Sequence, residues 1–290
     1  MPIDVETPAV QTAVQRAGPP SQAAWPAAPP VRRPVFLSAR WHALAMLNFE
    51  IDPAVLEPHV PRGTELDQHE GQTYVSMVGF LFLGTRVLGL PVPWHRNFEE
   101  VNLRFYVRRN LPGEVRRGVC FLREIVPRWA IAATARCTYN EPYLALPMRH
   151  AIDGPAADFV RRSCGYEAER AARQQPLAGA KYLWRFDGRW NSLAVHYQGD
   201  SQPLAAGSHE QFLAEHYWGY CGQRDGGTVE YQVAHPSWRI WRGLEAELDC
   251  NVAALYGPEF APFLSRPPAT AFLADGSAIS VLCPSRIAQR

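Results

Sequence analysis

A succession of strand-forming segments constrains the fold of this chain most strongly. Three runs, at 74–82, 101–107 and 118–126, are rich in β-branched and aromatic residues. Such residues favour the pleated surface of a sheet, and turn-forming residues at 110–113 separate two of the runs as in a hairpin. Further strands are predicted at 129–139, 182–187, 193–197, 228–233 and 278–282. The pattern therefore predicts a mainly β architecture with few helices.

Helical signals are confined to short segments. Asp52 followed by Pro53 is typical of a helix start, with Asp as the N-cap and Pro at the first helical position. Ser208 and Gln211 have capping-box spacing, and the residues that follow, including His216 and Tyr217, would share one helical face. The segment 161–173 is ambiguous between helix and loop.

The first 34 residues differ in composition from the rest of the chain. They are rich in Pro, Ala and Gln, and include the pairs at 19–20 and 29–30, both Pro-Pro. Such a segment buries too little apolar surface to offset its ordering entropy. We therefore expect a disordered tail at 1–34 and a single folded domain at 35–290.

Charge and cysteine content exclude several classes of function. The formal net charge of the 290 residues is +1, which argues against sequence-independent nucleic-acid binding, since that needs many cations. The six cysteines are scattered without a Cys-x-x-Cys pair, so reduced thiols in a cytoplasmic protein are expected. The longest strongly apolar run, 75–83, is too short to span a bilayer, and no secretory signal is recognised at the N-terminus.

Motifs for cofactors and metals are also missing. The sequence has no Gly-x-Gly-x-x-Gly after a strand and no Gly-x-Ser-x-Gly elbow. His209 and His216 lie seven residues apart, whereas a zincin pair lies four apart, one helical turn. We therefore expect no cofactor, no metal, no nucleic acid and no membrane among the partners.

Lysine is nearly absent. Of the 29 lysine and arginine residues, only Lys181 is a lysine. Any chemistry that requires an amine, such as Schiff-base formation or a P-loop phosphate clamp, must therefore use this residue.

Six sequence blocks resemble a known family. They are PRGTELD at 61–67, GQTYVSMVGF at 71–80, FEEVNLRFYVR at 98–108, EHYWGY at 215–220, YQVAHPSW at 231–238 and ADGS at 274–277. Together they resemble the YqjF-like family of uncharacterised bacterial proteins, over residues 36–282. That family resembles in turn the acetoacetate decarboxylase-like superfamily. The resemblance implies a closed, cone-shaped β-barrel in which catalytic members bind small keto acids, with a buried lysine that forms a Schiff base and an assisting glutamate.

The lysine of that superfamily has no counterpart in the matching segment. It lies in a pattern of Gly-Arg-Glu-x-x-Gly-aromatic-Pro-Lys, and the nearest match here is ARCTYNEPY at 135–143. Arg136 and Pro142 match the pattern, but Tyr143 stands where the lysine would be, and a phenol cannot form an imine. The assisting glutamate corresponds to Glu100.

Three functional hypotheses remain open. In the first, the barrel binds a small organic acid, with Glu100 and Tyr143 as catalytic candidates and Arg104, Arg136 and Glu141 as ligand-binding candidates. In a strand, Glu100 and Arg104 share one face, so an arginine could grip a carboxylate while Glu100 acts as a base.

The second hypothesis is a Schiff-base decarboxylase or aldolase-type lyase that uses Lys181. The third is a structural or interaction protein without a ligand, in which the aromatic residues at 216–220 form core or interface. A homo-oligomer is compatible with all three.

Overall fold

Residues 33–92, 95–128, 140–167 and 177–287 are described by a computed structural model of the chain. In these ranges the strands are β1 (Val35–Ile51), β2 (Glu65–Leu66), β3 (Thr73–Val87), β4 (Leu90–Pro91), β5 (Phe98–Leu111), β6 (Glu114–Val126), β7 (Tyr143–Ala145), β8 (Met148–Ile152), β9 (Ala178–Phe186), β10 (Arg189–Tyr197), β11 (Gln202–Pro203), β12 (Trp218–Gly222), β13 (Thr228–Ala234), β14 (Arg239–Asp249), β15 (Thr270–Leu282) and β16 (Ser285–Arg286). The helices are α1 (Pro53–Leu56), α2 (Pro155–Cys164), α3 (His209–Ala214), α4 (Val252–Leu255) and α5 (Ala261–Leu264), and a 3-10 turn covers Glu57–His59.

Seven strands close a ring of hydrogen-bonded pairs. The order of neighbours is β13, β12, β6, β5, β3, β1 and β15, and β15 pairs with β13 again. Most neighbours are antiparallel, whereas β12 runs parallel to β6. Closing a sheet in this way gives it an inside and an outside, and removes edges that would otherwise be exposed.

The β5–β6 hairpin supplies much of the ring wall. Leu111 pairs with Glu114 across a tight turn, and Gly113 adopts φ +76°, a left-handed conformation that glycine tolerates best. The register slips by one residue further along, where Arg104 pairs with Phe121 but Leu103 pairs with Arg123. Leu122 is therefore the extra residue of a β-bulge.

A second layer of strands packs on one outer face of the ring. β14 leaves β15 and continues the sheet through β10, β9 and β8. Gly79 of β3 makes room for the ring of Tyr182 on β9, whose hydroxyl donates a 2.8 Å hydrogen bond to the Ala43 carbonyl. The larger apolar core, which includes Val101, Leu103 and Phe105 of β5, lies on this outer side.

Several local expectations correspond to observed elements, and others do not. Asp52 caps α1 by accepting a hydrogen bond from the Ala54 amide, and Ser208 caps α3 through the Gln211 amide. The expectation that His216 and Tyr217 extend this helical face is wrong, because α3 ends at Ala214. The expected strand at 129–139 and residues 1–32 of the expected tail lie outside the described residues. The mainly β fold class is confirmed.

Candidate functional site

The ring encloses a cavity of about 190 Å³. Side chains from six of its seven strands reach the cavity, together with Val92 and His95 between β4 and β5 and two residues around the start of β7. Aromatic side chains form much of the wall, namely Phe36, Trp41, Phe80, Phe82, Phe98 and Phe121. The Phe82 and Phe98 rings stack at 4.7 Å between centroids, and Trp41 packs edge-on to Phe80 at 5.3 Å. The wall is thus mostly apolar and well packed.

Three carboxyl groups meet in this apolar cavity. Glu100 comes from β5, Glu124 from β6, and Glu141 from the segment before β7; each is at most 7% exposed. Strand pairing brings them together, because Asn102 is the partner of Glu124 across β5 and β6, and Glu124 is the partner of Tyr143 across β6 and β7. Such a concentration of buried acids costs folding free energy unless protons or ligands offset it.

Hydrogen bonds distinguish the three carboxyl groups. The Asn102 amide donates to Glu100 Oε1 at 3.0 Å, and the Tyr143 hydroxyl donates to Glu100 Oε2 at 3.3 Å. The Tyr231 hydroxyl donates a short hydrogen bond to Glu141 Oε1. Tyr143 also hydrogen-bonds the Glu124 side chain, but Glu124 Oε2 has no hydrogen-bond partner within the described part of the chain.

Burial raises the pKa of all three carboxyl groups. It raises the pKa of Glu100 to about 8, with the charge of Glu141 adding to the rise and hydrogen bonds from Asn102 and Tyr143 opposing it. The pKa of Glu141 rises to about 7 for the same reason, against the hydrogen bond from Tyr231. Burial and then the charges of Glu141 and Glu100 raise the pKa of Glu124 well above its ordinary value, against a hydrogen bond from Tyr143. A protonated carboxyl group can donate a hydrogen bond.

Arg104 places one positive charge beside the acids. It lies two residues after Asn102 on the same face of β5 and is 8% exposed. Its Nη2 donates a 2.9 Å hydrogen bond to the carbonyl of Leu213, near the end of α3, and this bond holds the guanidinium in place. Its Nε has no hydrogen-bond partner among the described residues. A buried donor without a partner favours an acceptor on a ligand.

The structure brings together four of the six site residues expected from the sequence. Glu100, Arg104, Glu141 and Tyr143 all line the cavity. Arg136 lies outside the described residues. Lys181 lies on β9 of the second layer, opposite Ala194 and Ala151, and is not among the residues that line the cavity.

Sequence reasoning missed Glu124 and Tyr231. Both belong to predicted strands, at 228–233 and 118–126, but neither stood out by composition. Alternation along β13 could have indicated that Tyr231 faces inward, whereas the β-bulge at Leu122 changes the facing of Glu124.

Neither a metal site nor a membrane-spanning helix is found among the described residues. Within the described ranges, no group of three or more His, Cys, Asp or Glu residues has a geometry suited to a metal ion. Among the helices of those same ranges, none has the length and apolar character needed to cross a membrane.

The fold and the sequence match known proteins. Three solved structures share the fold over most of their length. They are acetoacetate decarboxylase from Legionella pneumophila (TM-score 0.56, 11% identity, 90% of this chain and 92% of that one), an acetoacetate decarboxylase-like enzyme from Sphingomonas wittichii RW1 (0.55, 14%, 87% and 93%) and the enduracididine biosynthesis enzyme MppR complexed with pyruvate (0.58, 12%, 89% and 92%).

A sequence relative and a family model carry the assignment further. The uncharacterized protein YqjF of Bacillus subtilis (strain 168) is 30% identical over 230 residues, which cover 77% of this chain and 84% of that protein. Residues 38–278 match the model of DUF2071, described as an uncharacterized conserved protein (COG2071). The resemblance expected from the sequence is therefore confirmed: the chain belongs to the YqjF-containing DUF2071 family and has an acetoacetate decarboxylase-like fold.

Proposed function

We propose that this protein binds a small organic acid of the keto-acid type inside the ring of strands, without forming a Schiff base at the position of Tyr143. The observation that carries the proposal is one apolar cavity that holds both a buried guanidinium and a cluster of buried carboxyl groups. A keto acid offers a carboxylate for the first and a carbonyl oxygen for the second.

The volume of the cavity fits a small ligand. An apolar protein cavity of about 150 Å³ accommodates benzene. A space of about 190 Å³ therefore suits a molecule with about six to eight non-hydrogen atoms. The aromatic wall would contact the alkyl part of such a ligand, and the polar groups would fix its orientation.

The polar groups occupy complementary positions for the two ends of a keto acid. Arg104, whose Nε has no partner among the described residues, is the donor for the carboxylate, because guanidinium–carboxylate hydrogen bonds are charge-assisted. Tyr143 and a protonated Glu124 are donors for the keto oxygen, since burial raises the pKa of both groups. Glu141 completes the acidic side of the cavity.

No lysine is among the described residues that line the cavity, which favours non-covalent binding. Tyr143 lines the cavity, the sequence pattern aligns it with the superfamily lysine, and a phenol forms no imine. The MppR structure contains pyruvate, a keto acid of the size proposed here. That ligand belongs to MppR; it supports the choice of ligand class for this chain.

Ligand-observed NMR tests the proposal. Saturation-transfer signals are expected for 2-oxobutanoate and pyruvate, with much weaker ones for 2-hydroxybutanoate, which lacks the keto group, and for butanone, which lacks the carboxylate. Arg104→Met should weaken binding of 2-oxobutanoate by about 10-fold or more, because it removes a charge-assisted interaction. Arg239→Met is a matched control, since Arg239 lies outside the cavity and hydrogen-bonds Ser201. If no keto acid binds, the chain is better described as a structural or interaction protein.

A further inference from the structure

Two carboxyl groups of the cavity differ in the number of groups that stabilise their ionised forms. Both oxygens of Glu100 accept hydrogen bonds, from Asn102 and Tyr143, and the Arg104 charge also favours its ionised form. Glu124 lies on the neighbouring strand; a hydrogen bond from Tyr143 also favours its ionised form, but its Oε2 accepts from no described residue. The environment of Glu100 therefore favours a carboxylate more than that of Glu124 does.

A pair of acids whose environments differ in this way is suited to proton transfer. We propose that this pair catalyses keto–enol interconversion of a bound keto acid, with Glu100 as the base at the carbon next to the keto group and Glu124 as the acid at the keto oxygen. This inference rests on the proposed function, because it requires the ligand to bind in the cavity.

The step is balanced within the site. The Glu100 carboxylate takes a proton from the carbon, and the C–H electron pair becomes the C=C bond of the enol. The carbonyl π pair takes the proton of the Glu124 carboxyl group, so that one O–H bond forms and one breaks on the oxygen side. Reversal returns both protons, and in heavy water it places deuterium on carbon. No oxidant, reductant or further reactant is consumed.

The charge on Glu100 depends on the groups that face the cavity. Those groups are Arg104, Glu124, Glu141, Tyr143, Tyr231 and His95, with Cys120 and Cys221 behind Glu141. Because burial raises the pKa of Glu100 to about 8, only a minor fraction is ionised at neutral pH, and the exchange rate should rise through about pH 8. Removing the negative charge of Glu141 should lower that midpoint, because this charge adds to the rise.

Deuterium exchange measured by proton NMR tests the inference. In heavy water, 2-oxobutanoate should lose its C3 methylene signal faster with the protein than without it, while the methyl signal remains as an internal standard. Glu100→Gln and Glu124→Gln should each slow this catalysed exchange by about 100-fold or more, which is typical for loss of a general acid or base. Glu141→Gln should shift the pH midpoint of the remaining exchange downward.

Glu99→Gln is the matched control. Glu99 is the immediate neighbour of Glu100, but its side chain accepts a 2.7 Å hydrogen bond from His150 on β8 and does not line the cavity. Exchange by this variant should equal that of the unaltered protein.

Binding is measured on the same samples by saturation transfer, which separates the two claims. Binding without enhanced exchange, or exchange that survives undiminished in either Glu100→Gln or Glu124→Gln, overturns the proton-transfer role and leaves the binding proposal intact. Absence of binding overturns both. A variant that binds 2-oxobutanoate is folded, so its rate is interpretable.

Discussion

The hydroxyl of Tyr143 donates a 3.3 Å hydrogen bond to the buried carboxyl group of Glu100, although β6 lies between their strands. This contact links the residue at the expected lysine position with the expected assisting glutamate. It also shows how the cavity can hold several acids. Buried phenol groups remain protonated and act as donors, because burial raises the pKa of Tyr143 well above its usual value.

Removing this donor should make Glu100 a weaker acid. The hydrogen bond from Tyr143 lowers the pKa of Glu100, so Tyr143→Phe should raise the titration midpoint of Glu100 above about 8. The accompanying loss of stability should be about 1 kcal/mol, the usual value for one hydrogen bond. Carbon-13 NMR titration of labelled glutamate carboxyl groups measures the midpoint. Tyr231→Phe is the companion variant and should raise the midpoint of Glu141 instead; an unchanged Glu100 midpoint in Tyr143→Phe contradicts this account.

The contribution of Glu100 and Glu141 to the stability of the folded protein should fall as the pH rises from about 5 to 8. Their pKa values in the folded state, about 8 for Glu100 and about 7 for Glu141, exceed the ordinary value of 4.5. A group whose pKa is raised by folding contributes its full stabilisation of the folded state below pH 4.5. This stabilisation is lost as the pH rises through the pKa of the folded state. The loss is up to about 1.4 kcal/mol per pH unit for each group.

Urea unfolding of Glu100→Gln isolates this effect from that of the buried histidines, whose pKa values are lowered. The stability of the variant relative to the unaltered protein should increase between pH 5 and 8. A difference that does not change with pH over this window would show that Glu100 is ionised in the folded protein.

Attachment of the second layer to the ring depends on a close approach at Gly79. A Cβ placed there would lie 2.6 Å from Cδ2 of Tyr182, a fully buried ring whose hydroxyl is held by the Ala43 carbonyl. Gly79→Ala should therefore destabilise the protein by about 1–3 kcal/mol, the usual cost of overpacking. Gly222→Ala, where a Cβ meets no atom within 4 Å, is the control. Chemical denaturation of both variants provides the comparison, and equal stabilities would exclude this packing constraint.

The fate of Lys181 under reducing conditions tests the Schiff-base alternative. Because this lysine lies on β9 and does not line the cavity, borohydride treatment with 2-oxobutanoate should leave no adduct on it. Lys181→Ala should bind 2-oxobutanoate as the unaltered protein does. Mass mapping after proteolysis detects any adduct, and trapping at Lys181 would favour the lyase hypothesis.

Long strands and single-face alternation were predictable from the sequence because residue type and period determine them locally. Glu100 and Arg104 share a face of β5, as the period of two requires. Glu124 was not predictable, because the bulge at Leu122 changes which residue of β6 lies opposite Asn102. An unbroken register from the Leu111–Glu114 turn would have placed Arg123 there. A one-residue slip exchanges the two faces of a strand, so this single bulge gives the cavity an acid instead of a base.

Closure of the ring of strands could not be predicted from local sequence patterns either. The pairing of β13 with β15 joins segments that are about fifty residues apart in the sequence and brings Tyr231 into the cavity. Strand propensity does not specify such long-range partners; the resemblance to a known family supplied the expectation of a closed sheet.

A crystal structure of the protein with 2-oxobutanoate is the most direct test of keto-acid binding. We expect the ligand inside the ring, with its carboxylate hydrogen-bonded to Arg104 and its keto oxygen within hydrogen-bond distance of Glu124 or Tyr143. An empty cavity at saturating 2-oxobutanoate, or a ligand held elsewhere, would contradict the proposed function.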